Sequence, residues 1–281
     1  MVKSVQSTKL SQLPSRIAIG RSAEIFPWGE GKVVKLFFSD IPKEDIEFEY
    51  KNTLEANKLG VCSMRCYEKI EIENRIGIVL DFIEGVSLTK LPEQNPIKLF
   101  EVPKILAELH SKLHKKETGS LREIKSYAKS TLALKPLKFL NVEERKKAEK
   151  LIDALPGGSS ILHMDFHPEN IVVSKDENIV IDWRTAAKGN RAADVAYTVF
   201  LFKDAELWPG TPKLKLLFYT IVRSIILRGY LKNYISLSGI TLEEIDAWKL
   251  PILLLRAGVW DIDSERDSLQ KQIRKILSGT K

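Results

Sequence analysis

The chain has 281 residues, 44% hydrophobic and 29% charged, a globular composition that excludes wholesale disorder. A chain of this length buries enough surface to fold without staples, and its two cysteines, Cys62 and Cys66, form neither a disulfide framework nor a good zinc spacing, so a reducing, cytoplasmic setting is expected. The formal charge of +7 raises nucleic acid as a partner, but the cations are spread along the chain and concentrate only over 122–150, where a solvated lysine surface is expected instead.

In chain order, the first 13 residues carry lysines but no apolar core of a secretory signal. Residues 14–90 read as strand-rich with one helix. Segments 17–21 and 23–27 are short strand candidates, residues 28–32 carry turn chemistry, and 32–38 is a β-branched apolar strand. Ser39 or Asp40 can cap a helix with Pro42 in its first turn, and Ile46, Tyr50 and Leu54 then recur at helical spacing until Gly60. Two strands follow at 65–72 and 75–82, separated by Glu73-Asn74. Glu84-Gly85 reads as a hinge.

Beyond the hinge, helical periodicity dominates, at 102–114, 142–155, 192–202, 214–231, 242–255 and 264–277. The most apolar of these, 214–231, carries Lys215, Arg223 and Arg228, which fits a buried helix and not a membrane span. Short strands at 161–163, 171–174 and 179–182 interrupt the helical half. The expected architecture is α+β and two-lobed, with residues 1–84 as a small antiparallel-sheet lobe holding one helix and residues 85–281 as a larger, mainly helical lobe. Clefts between such lobes commonly hold ligands.

The segment with the most chemistry is His163-Met164-Asp165-Phe166-His167-Pro168-Glu169-Asn170, followed by Ile179-Val180-Ile181-Asp182-Trp183. Asp165 and Asn170 lie in a loop between apolar strands, and Asp182 ends the next strand. Taken singly, each suits a turn or a strand-end cap. Taken together, two carboxylates and an amide oxygen at one end of a hairpin suit Mg²⁺, which takes oxygen ligands and keeps substrate phosphates in its shell. Phosphoryl transfer needs such an ion and a carboxylate to orient the accepting hydroxyl.

His-x-Asp-x-His-Pro-x-Asn followed by Ile-Asp-Trp resembles the aminoglycoside phosphotransferase and choline kinase-like superfamily, relatives of the protein kinases. The resemblance implies a two-lobed protein-kinase-like fold with Asp165 as catalytic base and Asn170 and Asp182 as Mg²⁺ ligands. It gives His163 and His167 supporting roles in the loop, and makes Asp194, in Ala193-Asp194-Val195-Ala196, a brace of that loop. Val33-Val34-Lys35-Leu36 resembles the strand lysine that contacts the phosphates. A helix glutamate should position Lys35. Periodicity leaves Glu47 and Glu49 open, and family spacing to the helix-ending glycine favours Glu49. The phosphate-covering loop is the weakest match, since residues 19–24 hold one glycine, Gly20. Backbone amides there and the Ser22 hydroxyl are the expected phosphate donors. Residues 79–85 resemble the hinge strand, so the Asp81 carbonyl and Ile83 amide should read the purine edge. ATP is the expected co-substrate, although backbone contacts do not separate it from GTP.

No long activation segment or Ala-Pro-Glu follows Asp182, so a small hydroxyl-bearing acceptor is expected in place of a protein. Residues 241–267 carry seven acids against three bases, which would suit a cationic acceptor but equally marks helix starts rich in capping acids. The expected function is therefore transfer of the γ-phosphoryl group of ATP to an aminoglycoside-, choline- or sugar-like hydroxyl. The alternative is a catalytically silent nucleotide-binding scaffold. No nucleic acid, membrane or obligate protein partner is expected.

Overall fold

In the computed structural model, which describes residues 3–4, 9–205 and 212–279, the first part of the chain is built on strands. These are β1 (Lys3–Ser4), β2 (Ala18–Ile19), β3 (Ala23–Pro27) and β4 (Lys32–Phe37), then helix α1 (Lys43–Lys58), then β5 (Cys66–Ile72), β6 (Arg75–Asp81) and β7 (Val86–Ser87). Helices α2 (Leu91–Gln94), α3 (Val102–His114), α4 (Ile124–Thr131) and α5 (Val142–Asp153) follow. Strands return at β8 (Ser160–Leu162), β9 (Ile171–Val173), β10 (Asn178–Val180) and β11 (Ala187–Gly189). The chain ends in α6 (Arg191–Lys203), α7 (Lys213–Ser238), α8 (Leu242–Ala247), α9 (Lys249–Leu255) and α10 (Asp263–Ser278). This is the expected α+β class.

Contacts group the chain into two units, Met1–Glu93 with Glu169–Thr185, and Gln94–Pro168 with Ala186–Lys281. A linear cut at 84/85 does not follow this grouping. The reason is local pairing: β7 pairs antiparallel with β9, and Leu88 N–H bonds the Ile171 carbonyl at 2.8 Å. These bonds draw the β9–β10 hairpin into the first unit. Gly85 permits the approach, because a Cβ there would lie 2.5 Å from Val173 O and 2.7 Å from Val172 Cγ1.

The first unit holds a six-stranded sheet in the order β1-β5-β6-β4-β3-β2, antiparallel except for the β1–β5 pair. Val34, Leu36, Ile70, Ile72 and Val79 are buried together, with Phe26 and Trp28 packed against them. Glu73 and Asn74 both take positive φ, 46° and 67°, the two-residue turn that suits the right-handed strand twist between β5 and β6. Helix α1 begins after Pro42 with Glu44 and Asp45 in its first turn, where acids favour the positive end of the helix dipole.

In the second unit, α3 packs against α7, and α6 against α7 and α9, while β8 pairs with β11. Gly229 on α7 lets Pro103 approach, since a Cβ would meet the proline ring at 2.7 Å. The helix expected over 242–255 is two helices broken at Trp248. Pro251 lacks an N–H and would clash within a continuous helix; restarting at Lys249 puts it in the first turn, where it is tolerated. The helix expected over 214–231 continues to Ser238, ended by Gly239 at φ 71°.

Candidate active site

Strand β4 carries Lys35 and helix α1 carries Glu49, and the Nζ to Oε1 distance is 2.5 Å. Lys35 Nζ also lies 3.5 Å from Asp182 Oδ1. The lysine and glutamate side chains are 13% and 4% exposed, while Asp182 is 38% exposed. Burial alone would push the Lys35 ammonium toward the neutral form, but the charges of Asp182 and Glu49 outweigh it and raise its pKa. A lysine held charged, with a partly open carboxylate beside it, suits a polyanionic ligand. Glu47, the competing candidate, instead pairs with Lys69 and Lys51.

Asp182 follows β10 with a left-handed backbone, φ 64°. The buried Trp183 comes next and donates its indole N–H to Val180 O at 3.1 Å. Asn170 closes a 3-10 turn before β9, and its carbonyl accepts Ile181 N–H at 2.9 Å. Hairpin pairing thus puts Asn170 and Asp182 at the same end of the ribbon, as expected for these two residues.

Ser22 sits in the turn between β2 and β3. Gly20 N–H is already given to Ala23 O at 2.9 Å, which removes one of the expected phosphate donors there. Asp81 ends β6 with its carboxylate accepting Arg65 N–H at 2.9 Å and the Tyr67 hydroxyl at 2.6 Å. Ile83 follows, half-buried. Both cysteines are free and buried, and burial pushes their thiols up to about 11 for Cys62 and about 12 for Cys66, so neither is a ready nucleophile.

In the second unit, Asp165 lies in the loop after β8, 19% exposed, with His167 Nε2 3.6 Å from its Oδ2. Burial pushes the carboxyl up, but His167 beside it, with the electrostatic influence of His163 and Arg256, outweighs this and holds the pKa below the usual range. Asp194, at the start of α6, accepts His163 N–H at 2.5 Å and Met164 N–H at 2.8 Å. Met164 has φ 60°, so the brace fixes the strained bend just before Asp165.

Periodicity did not flag the residues behind that brace. His110 and His114 of α3 place Nε2 atoms 3.0 and 3.2 Å from Asp194 Oδ2, and their Nδ1 atoms lie 2.7 and 2.6 Å from the hydroxyls of Tyr230 and Tyr234 on α7. Two histidines and a carboxylate at this spacing can hold a metal ion. Here the carboxylate is already engaged by two backbone amides and by His114 Nε2, so the group serves as a buried brace.

In the acidic segment near the C-terminus, three of the seven acids, Asp261, Asp263 and Glu265, pair with arginines of the same segment. Arg256 makes a buried two-pronged pair with Glu265, at 2.6 and 2.8 Å. Arg266 reaches Asp261 at 3.0 Å and Asp263 at 2.5 Å. The Trp260 ring is faced by Arg256 at 5.2 Å, which occupies a surface that would suit a cationic acceptor.

A sequence profile of the family described as "Phosphotransferase enzyme family" matches residues 15–211. No curated protein matches the sequence. Among solved structures, aminoglycoside phosphotransferase APH(4)-Ia superposes with a TM-score of 0.65 at 14% identity, over 95% of this chain and 93% of that one. A thermostable mutant of the same enzyme, in a ternary complex with ADP and hygromycin B, gives 0.64 at 15% identity over 95% and 93%. A candidate fructosamine-3-kinase from Haemophilus somnus 129PT gives 0.60 at 14% identity over 94% and 90%. The fold is that of the aminoglycoside kinases, protein-kinase-like in plan.

Proposed function

We infer the reaction of this chain from the family to which it belongs, the phosphotransferase enzyme family, and from the Lys35–Glu49–Asp182 cluster. The chain is a small-molecule kinase. We propose that it works in the cytoplasm and moves the γ-phosphoryl group of ATP to a hydroxyl of an aminoglycoside-, choline- or sugar-like acceptor. The observation that carries this reading is a charged lysine fixed by a buried glutamate beside an open carboxylate.

In this reading Glu49 fixes the Lys35 ammonium so that it meets the phosphates without reorganising. Asn170 and Asp182 supply an amide and a carboxylate oxygen at one end of a hairpin, a donor set that fits Mg²⁺, and they would hold it. Bound there, the ion would neutralise charge on the phosphates. Ser22 donates to a phosphate oxygen, while the Asp81 carbonyl and Ile83 amide take the purine edge. Asp165, kept ionised, orients the acceptor hydroxyl and accepts its proton at a carboxylate oxygen.

The test is ADP release from Mg·ATP across a panel of aminoglycosides, amino alcohols, sugars and nucleosides. At least one acceptor should stimulate release, and Asp165→Asn should bind nucleotide yet lose at least about a hundredfold in turnover. Undiminished turnover in Asp165→Asn would remove it as the base. ATP binding without stimulation or hydrolysis under any acceptor would favour the silent scaffold.

A further inference from the structure

We infer that Asn52 is a positioning residue that holds Asp182 in its working conformation, an inference that rests on the nucleotide site proposed above. Asn52 lies three residues after Glu49 on α1 and is buried. Its side-chain amide donates to the carbonyls of both Trp183 and Arg184, at 3.0 and 3.1 Å. One turn before Glu49, Asp45 Oδ2 lies 3.8 Å from Arg184 Nη1. Asp45, Glu49 and Asn52 are spaced i, i+4 and i+7, which puts them on one face of the helix.

That face grips the segment Asp182-Trp183-Arg184 at three levels. Glu49 acts through Lys35 on Asp182, Asn52 on the two following carbonyls, and Asp45 on the Arg184 guanidinium. The grip matters because Asp182 has φ 64°, a region that side chains with a Cβ avoid unless neighbours hold them there. The carbonyls immediately after it, one buried and one part-buried, would lack these amide donors if Asn52 were lost. The motif resemblance that picks out Lys35, Glu49 and Asp182 assigns nothing to Asn52; the hydrogen bonds do.

Asn52→Asp keeps the side chain's shape but turns an oxygen toward the two carbonyls. ADP affinity is measured by calorimetry with saturating Mg²⁺ and again in EDTA, for wild type, Asn52→Asp and Asn52→Ser, with a thermal melt of each. The expected result is a loss of about tenfold in Mg·ADP affinity for Asn52→Asp. Affinity in EDTA should stay within about twofold, because Glu49 still fixes the Lys35 ammonium when Asp182 is misplaced. Asn52→Ser, which keeps one donor, should fall between. Equal losses with and without Mg²⁺ would mean general loosening of α1 and overturn the inference. An unchanged Mg²⁺ effect in both variants would overturn it too. Should Asn52→Asp fail to fold, the same split in Asn52→Ser decides. A wild type whose ADP affinity ignores Mg²⁺ would bring down the nucleotide reading, and this inference with it, which the variants alone cannot do.

Discussion

Protonating His110 would put a positive charge into a fully buried cluster whose one carboxylate, Asp194, already accepts two backbone amides and lies beside both imidazoles. Burial, reinforced by His114, accordingly depresses the His110 pKa to about 3, against an ordinary value of 6.5. The unfolded chain therefore binds more protons than the folded one between those two values. Stability contributed by neutral His110 is complete above about pH 6.5 and is lost as pH falls toward 3. At pH 5 the loss is on the order of 2 kcal/mol. Urea unfolding at pH 7 and pH 5 checks this: His110→Gln, which keeps a donor near Asp194, should show a smaller drop than wild type. An equal drop would mean that His110 is not the group responsible. At this scale Lys35, Glu49 and Asp182 were legible through the family motifs and their spacing, while helical periodicity alone left Glu47 and Glu49 open. The His110/His114 and Tyr230/Tyr234 pairs were not. Each is an i,i+4 pair on an apolar helix, which reads as ordinary core until a tertiary contact 120 residues away joins them.

Short strands, more than long helices, decide how the elements are grouped. The two-residue β7 attaches the hinge segment to β9, and no periodicity signal exists over two residues. Gly85→Ala would drive a methyl group into Val173 O and Val172 Cγ1. It should destabilise the protein by about 1–3 kcal/mol in chemical unfolding, the range for forced overpacking. A change within about 0.5 kcal/mol would show that the hinge can shift at no cost. The break between α8 and α9 was readable in principle from Pro251, since a proline marks a first turn more often than an interior. Helix α4 escaped notice because its eight residues give barely two turns of pattern. It is capped by the Glu123 side chain, which accepts the N–H groups of Lys125 and Ser126.

Along the sequence the positive charge is spread out, and three of the seven acids of the C-terminal acidic stretch are paired with Arg256 and Arg266. That arrangement gives the acceptor no strong electrostatic signature, which is why fold and reaction class were legible while the acceptor was not. Among the described residues no helix is long and apolar enough to cross a membrane. What remains distinctive is the cluster that joins a strand lysine, a helix glutamate and the aspartate after the hairpin. Its role is tested most directly by calorimetric binding of ATP, with and without Mg²⁺, to wild type and Asp182→Ala. The account expects wild type to bind more tightly with Mg²⁺, and Asp182→Ala to lose that gain while remaining folded. Binding in Asp182→Ala that matches wild type in both conditions would contradict it.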